Sequence, residues 1–140
     1  MLVGIALSAM AACNAFTGDA YRTGPALIVF YRDTATIAAP DTVARGEDFA
    51  VSIRTFGGGC TRETVRADVS VTGSLAEIKP LNRTRNASVC TSDLLYLEHN
   101  VRVRFNVAGR VVLRVIGEQS GPSTGGANWP AVLERSIVVR

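Results

Sequence analysis

The chain has 140 residues, 47% of them hydrophobic and 19% charged, and a net charge of +3 carried by 14 arginines and a single lysine. That is enough for one domain of ordinary size and too little for two, and it is too apolar for a disordered chain. The arginines are spread from Arg22 to Arg140 and mostly sit opposite apolar positions, the pattern of solvated strand faces. There is no basic track for a phosphate backbone and there are few aromatics to stack bases, so no nucleic-acid partner is expected.

Met1 to Ala12, MLVGIALSAMAA, carries no charge and runs directly into Cys13. A membrane-spanning helix needs about twenty apolar residues. The run is shorter, and it matches the apolar core of a secretory signal that ends in small residues. Met10–Ala11–Ala12–Cys13 resembles the lipobox of bacterial lipoproteins, with Met10 where that motif usually has Leu. The resemblance implies a signal peptide over residues 1–12 and acylation of Cys13 as the new N-terminus. It also implies a lipid-anchored place in the cell envelope outside the cytoplasm, at the outer membrane or the cell surface. An ordinary secretory signal and a buried N-terminal segment are the alternatives. Residues 14–24, NAFTGDAYRTG, are small and polar without a sustained period, so 13–24 reads as a tether after the lipidated Cys13. Each buried acyl CH₂ contributes about 0.8 kcal/mol, which makes a multiply acylated cysteine a stable anchor.

From residue 25 the chain reads as strands. Ala26 to Tyr31 is a short apolar run expected to be buried on both faces, and Thr34 to Ala38 continues it or forms an edge strand. Pro40–Asp41 and Arg45–Gly46–Glu47–Asp48 mark turns. In FAVSIRTF, Phe49, Val51 and Ile53 face inward and Ala50, Ser52 and Arg54 outward. Gly57–Gly58–Gly59 then precedes Cys60. A phosphate cradle would be followed by a helix and would normally carry a lysine; neither is present, so these glycines are expected to let Cys60 reach a partner. Thr64 to Thr72 alternates Val65, Ala67, Val69 and Val71 with polar residues, and Gly73–Ser74 turns the chain into a weaker strand over Leu75 to Leu81. Asn82 to Ser92 reads as a polar loop containing Cys90 and two glycosylation-type triplets, at Asn82 and Asn86.

Leu94 to Glu98 leads into the most regular stretch, Asn100 to Gly117. There Val101, Val103, Phe105 and Val107 alternate with Arg102, Arg104 and Asn106. After Ala108–Gly109–Arg110 the alternation resumes with Val111, Leu113 and Val115 inward and Val112, Arg114 and Ile116 outward. Period two and β-branched residues predict strands, here two strands joined by a tight turn. Gln119 to Trp129 is a Gly-, Pro- and Ser-rich loop, and Leu133 to Arg140 is a final strand.

Three cysteines leave one over in a secreted protein. If Cys13 carries lipid, Cys60 and Cys90 are an even pair free to form a disulfide in an oxidising compartment. No metal site is expected, because there is no CxxC and His99 is the only histidine. A Cys–His nucleophile would need a free thiol beside His99. Glu63, Asp68, Glu98 and Glu118 are scattered, without a pairing that would tune their pKa values. No cofactor and no catalysis are expected.

Short strands with turns every 8–12 residues and no helical segment predict an all-β fold, an immunoglobulin-like antiparallel β-sandwich of seven to eight strands over residues 25–140. RVRFNVAGRVVLRVIG, with Phe105, Gly109 and Gly117, resembles the penultimate-strand region of bacterial Ig-like domains. RGEDFAVSIRTFGGGC is similar to their second strand. The resemblance runs over roughly residues 35–140, although the sole Trp129 is not at the position of the usual buried Trp and the Cys pair is not at the common inter-sheet positions. The expected role is a binding or adhesion module for a protein or glycan ligand at the cell surface, with Trp129 and Pro130 as the candidate binding loop. Alternatively, Trp129 folds back over the open end of the core. A structural or assembly subunit that self-associates through Val112 and Ile116 is the second role, and an enzyme the third.

Overall fold

In the computed structural model, residues 20–122 and 127–140 are described. The expected signal peptide and Cys13 lie outside these residues. The fold is all-β, with eleven strands where seven to eight were expected: β1 (Tyr21–Pro25), β2 (Leu27–Phe30), β3 (Asp33–Thr34), β4 (Thr36–Ala38), β5 (Thr42–Val43), β6 (Asp48–Gly57), β7 (Thr61–Thr72), β8 (Leu75–Arg85), β9 (Leu95–Arg104), β10 (Gly109–Ser120) and β11 (Trp129–Val139). The surplus comes from the region before residue 44, which breaks into five short pieces. Tyr21–Gly24, expected as tether, pair with β8 from Tyr21↔Arg85 onward.

All eleven strands belong to one hydrogen-bonded network that curls into an open half-barrel. One arm runs β7, β8, β10, β11, with β5 added at the end of β11. The other runs β9, β6, β4. β2 joins them, lying parallel to the end of β10 and touching β6 at Leu27↔Phe56. The hand-over from β1 to β2 occurs at the fully buried Ala26. Its N–H donates to the Pro80 carbonyl at 2.9 Å and its carbonyl accepts from Glu118 N–H at 2.9 Å. Gly117 makes this crossing fit: a Cβ there would lie 2.5 Å from the Ala26 carbonyl oxygen and 2.8 Å from Ile28 Cγ2.

Period two sets the core. Phe49, Val51 and Ile53 of β6 and Val103 of β9 meet Ala76 and Ile78 of β8, Val111, Leu113 and Val115 of β10, and Ile137 and Val139 of β11 in a single apolar cluster. Each fully buried large side chain contributes about 1.5–3 kcal/mol. The inward and outward faces of Asn100 to Gly117 are as expected, except that Val107 is exposed.

The pairing of that stretch is different from the expectation. β9 and β10 are not a hairpin: β9 pairs along its length with β6 and β10 along its length with β11. The physical reason is Phe105. It leaves β9, is fully buried, and stacks on Phe49 at 6.1 Å, so the connection passes over the core from one arm to the other. Alternation specifies which face is buried, but not which strand lies alongside. A tight hairpin does form at β7–β8, closed by Gly73–Ser74 between Thr72 and Leu75. β8 is also longer than expected. It passes through Pro80 to Arg85, so Asn82 is a strand residue and is 2% exposed.

Candidate functional site

The chain's punctuation gathers at one end of the half-barrel. β6, β8 and β10 finish there, β1, β7, β9 and β11 begin there, and the Cys60–Cys90 disulfide (Cα–Cα 5.1 Å) links the start of β7 to the loop before β9. The triple glycine allows this closure. Gly58 has φ +130°, and a Cβ on it would fall 2.0 Å from the Asp93 carbonyl oxygen. With no Cβ in the way, the chain at residues 91–94 lies against the glycine turn. Asp93 then fastens the two. It accepts from Gly59 N–H (3.2 Å), from the Thr91 hydroxyl (2.5 Å) and from Arg62 Nη1 (2.7 Å). The Thr91 hydroxyl, the Arg62 guanidinium and the Gly59 N–H hold its carboxyl far below its ordinary value.

Beside the disulfide the two arms leave a cleft of about 890 Å³. Its walls are β1, the Phe30 and Phe56 rings, Leu94, Asp93 and Glu118, and Asn82 forms its floor. Asn82 and His99 form a buried polar pair, with His99 Nε2 3.0 Å from Asn82 Oδ1 and His99 only 4% exposed. Burial pushes the imidazole pKa down, and a ring carrying its proton on Nε2 donates it to the amide oxygen. The amide Nδ2 is sealed from solvent and has no partner among the described residues. A buried donor left this way costs about 1–3 kcal/mol, and such orphans ask for a structural or functional reason.

The same end concentrates the amphipathic aromatics. The chain has three tyrosines and one tryptophan, and all four are there: Tyr21 48%, Tyr31 58%, Tyr96 61% and Trp129 55% exposed. A continuous row runs Tyr31–Phe30 (4.7 Å between centroids), Phe30–Phe56 (5.9 Å), Phe56–Tyr96 (5.9 Å). The Arg54 guanidinium lies 5.8 Å over Tyr96. Tyr31 takes φ 57°, unusual for a residue with a side chain, while its N–H bonds the Ser120 carbonyl at 2.7 Å. Rings with a polar tip, held in register at a surface, suit recognition of a partner that is part apolar and part hydrated.

Of the residues expected from sequence, Cys60 and Cys90 are bonded to each other. Trp129 and Pro130 open β11, opposite Gln119 and Glu118, at the rim of this end rather than in a loop. The candidate acids stay apart, each with a neighbour: Glu63 with Arg83, Asp68 with Arg66, Glu98 with Ser52, Glu118 with Asn128. Among the described residues no three His, Cys, Asp or Glu converge as a metal site. The cleft floor was missed. Asn82 continues the inward series Ala76, Ile78, Pro80, and His99 continues Leu97 toward Val103, so an unbroken period of two would have placed both inside. Burial also removes Asn82, though not the exposed Asn86, as a glycan acceptor in the folded chain. Comparison with family models, with curated proteins and with solved structures returns no significant match to this chain.

Proposed function

We propose that this chain is a non-catalytic binding or adhesion module, anchored through an acylated Cys13 in the cell envelope, whose contact surface is the disulfide end of the half-barrel. The finer fold is read in the same way, with the two arms as the two layers of an immunoglobulin-like sandwich. The observation that carries the functional reading is the exposure of every tyrosine and the only tryptophan at the one end of the half-barrel where the cleft also lies. A cleft of this size, with polar side chains set beside the Phe30 and Phe56 rings, is in the range of ligand sites. The disulfide is in keeping with an oxidising compartment. β1 begins at the cleft end. The seven tether residues 14–20 therefore keep that end within roughly 25 Å of an acylated Cys13 at full extension, so the module would bind ligand close to its membrane.

The test is sedimentation of the oxidised protein with purified cell-wall and membrane fractions. The triple variant Tyr31→Ser/Tyr96→Ser/Trp129→Ser is expected to melt within a few degrees of the parent and to lose retention. Equal retention of parent and variant would overturn the assignment of this end as the contact surface.

A second reading, an assembly subunit, is favoured by β11. Among the described residues its outer edge pairs only at Val138 and Val139, with β5, and Val132 (54% exposed) and Val138 (41% exposed) stand on its outer face. Open strand edges recruit further strands. A strictly monomeric mass in solution and in mild detergent removes this reading.

A further inference from the structure

We infer that the disulfide end of the half-barrel docks on the lipid surface itself, with its exposed aromatics at headgroup level and a lipid phosphate in an arginine groove beside the disulfide. This rests on the reading of that end as the contact surface and names its partner.

The groove lies at the root of the tether. Tyr21 opens β1 and pairs with Arg85 of β8. With Cys60, Cys90, Arg62, Arg83 and Arg85 it lines a groove of about 530 Å³. Residues 14–20 therefore join an acylated Cys13 directly to the groove wall. A contact tethered this closely acts at millimolar effective concentration, so weak individual contacts are enough to seat the domain.

The groove offers a place for one more anion. Arg62 is paired with Asp93 (2.7 Å) and Arg83 with Glu63 (3.3 Å), and the Arg83 guanidinium lies 5.5 Å from the Tyr21 ring centroid. Three guanidinium groups face two carboxylates in the groove, and among the described residues Arg85 is the one without an ion pair. Its backbone N–H donates to the Cys60 carbonyl at 2.9 Å, so the closed disulfide loop sets its position. Its exposed guanidinium shares a face with Arg83 and suits two parallel hydrogen bonds to a phosphate.

A surplus of one charge attracts anionic lipid only weakly, so the aromatics supply most of the retention and Arg85 the orientation. Tyrosine and tryptophan settle where hydrocarbon meets water, ring on one side and polar tip on the other. Tyr21, Tyr31, Tyr96 and Trp129 stand exposed at this end together with Val89 and Leu94 of the disulfide loop. The acids of the same end are engaged, Asp93 and Glu63 by arginines, Glu98 by Ser52 and Glu118 by Asn128.

The experiment takes the oxidised protein extracted from its native membrane and reconstitutes it into phosphatidylglycerol vesicles, with digalactosyldiacylglycerol vesicles as the phosphate-free control. The sole Trp129 is the probe. On phosphatidylglycerol its emission should move to shorter wavelength, and its quenching by acrylamide should be at least threefold weaker than on the galactolipid. Arg85→Ala should return at least half of that quenching at an unchanged melting temperature. Equal quenching on the two lipids, or no effect of Arg85→Ala, would overturn the inference. The sedimentation test separates this failure from that of the contact surface: rim-dependent retention by cell-wall fractions, with Trp129 still open to acrylamide on lipid, sinks the lipid and leaves the surface, and absence of both sinks both. Intact mass of the same sample tells a missing anchor from a missing contact. A melting temperature raised by 10 mM inorganic phosphate in the parent but not in Arg85→Ala, without protection of Trp129 on vesicles, would assign the groove to a soluble anion and overturn the inference.

Discussion

Replacing both disulfide cysteines, Cys60→Ala with Cys90→Ala, tests how the cleft end is held. The bond spans a sequence separation of 30. For a loop of that length the chain-entropy relation gives about 3.6 kcal/mol at 25 °C. Nearly all of it acts on the unfolded chain, because the folded ends are also held by Asp93 through Gly59, Thr91 and Arg62. The variant should therefore keep its strand content. It should lose about 3–4 kcal/mol of stability, or roughly 10–15 °C in melting temperature for a domain of this size. Guanidinium titration followed by the emission of the sole Trp129 gives the free energy and its denaturant slope together. The slope should rise, since an uncrosslinked unfolded chain exposes more surface. A loss below about 1 kcal/mol with an unchanged slope would refute the reasoning, because the crosslink would then restrict little that is free in the unfolded state.

Three further outcomes follow from named contacts. His99 has a folded pKa pushed below its ordinary 6.5 by burial. Its contribution to stability is therefore complete above pH 6.5 and declines as the pH falls toward the folded value. The slope is at most about 1.4 kcal/mol per pH unit from this one group. His99→Gln should flatten that part of the stability–pH curve, and a curve of unchanged shape would show that His99 does not set it. Gly58→Ala places a Cβ 2.0 Å from the Asp93 carbonyl oxygen at φ +130°, so it should cost at least about 2 kcal/mol by strain alone. Gly24→Ala, with nothing within 4 Å, should be near neutral in the same melting assay. Leu113→Ala, in the centre of β10 and fully buried, should cost about 2–5 kcal/mol in chemical denaturation, whereas Val132→Ala on the exposed face should cost under about 0.5 kcal/mol.

The strands and their faces were legible because period two is a local property. Val111, Leu113 and Val115 fall inward wherever β10 is placed. The disulfide was legible from cysteine arithmetic together with the Gly57–Gly59 run before Cys60. Strand partners were not legible, since Asn100 to Gly117 reads equally well as a hairpin and as an arch over the core. Only the depth of Phe105 decides between them, and depth is a tertiary property. The short strands before residue 44 were blurred because two- and three-residue edge pieces carry no period. The cleft floor was hidden by composition. Asn82 stands in a polar run and signals a loop, yet its strand is set by pairing with β1 on one side and β7 on the other, which overrides local propensity. The aromatic rim was visible only as Trp129, because Tyr21, Tyr31 and Tyr96 come together solely through the fold.

The central claim is an oxidised domain held by lipid at the cell envelope with its cleft end near the anchor. Intact mass spectrometry of the protein extracted from its native membrane without reductant tests it most directly. The account predicts a chain that begins at Cys13, carries acyl groups, and is two hydrogens lighter than its reduced form. A chain that begins at Met1 with three free thiols would contradict both the anchor and the oxidised cleft end.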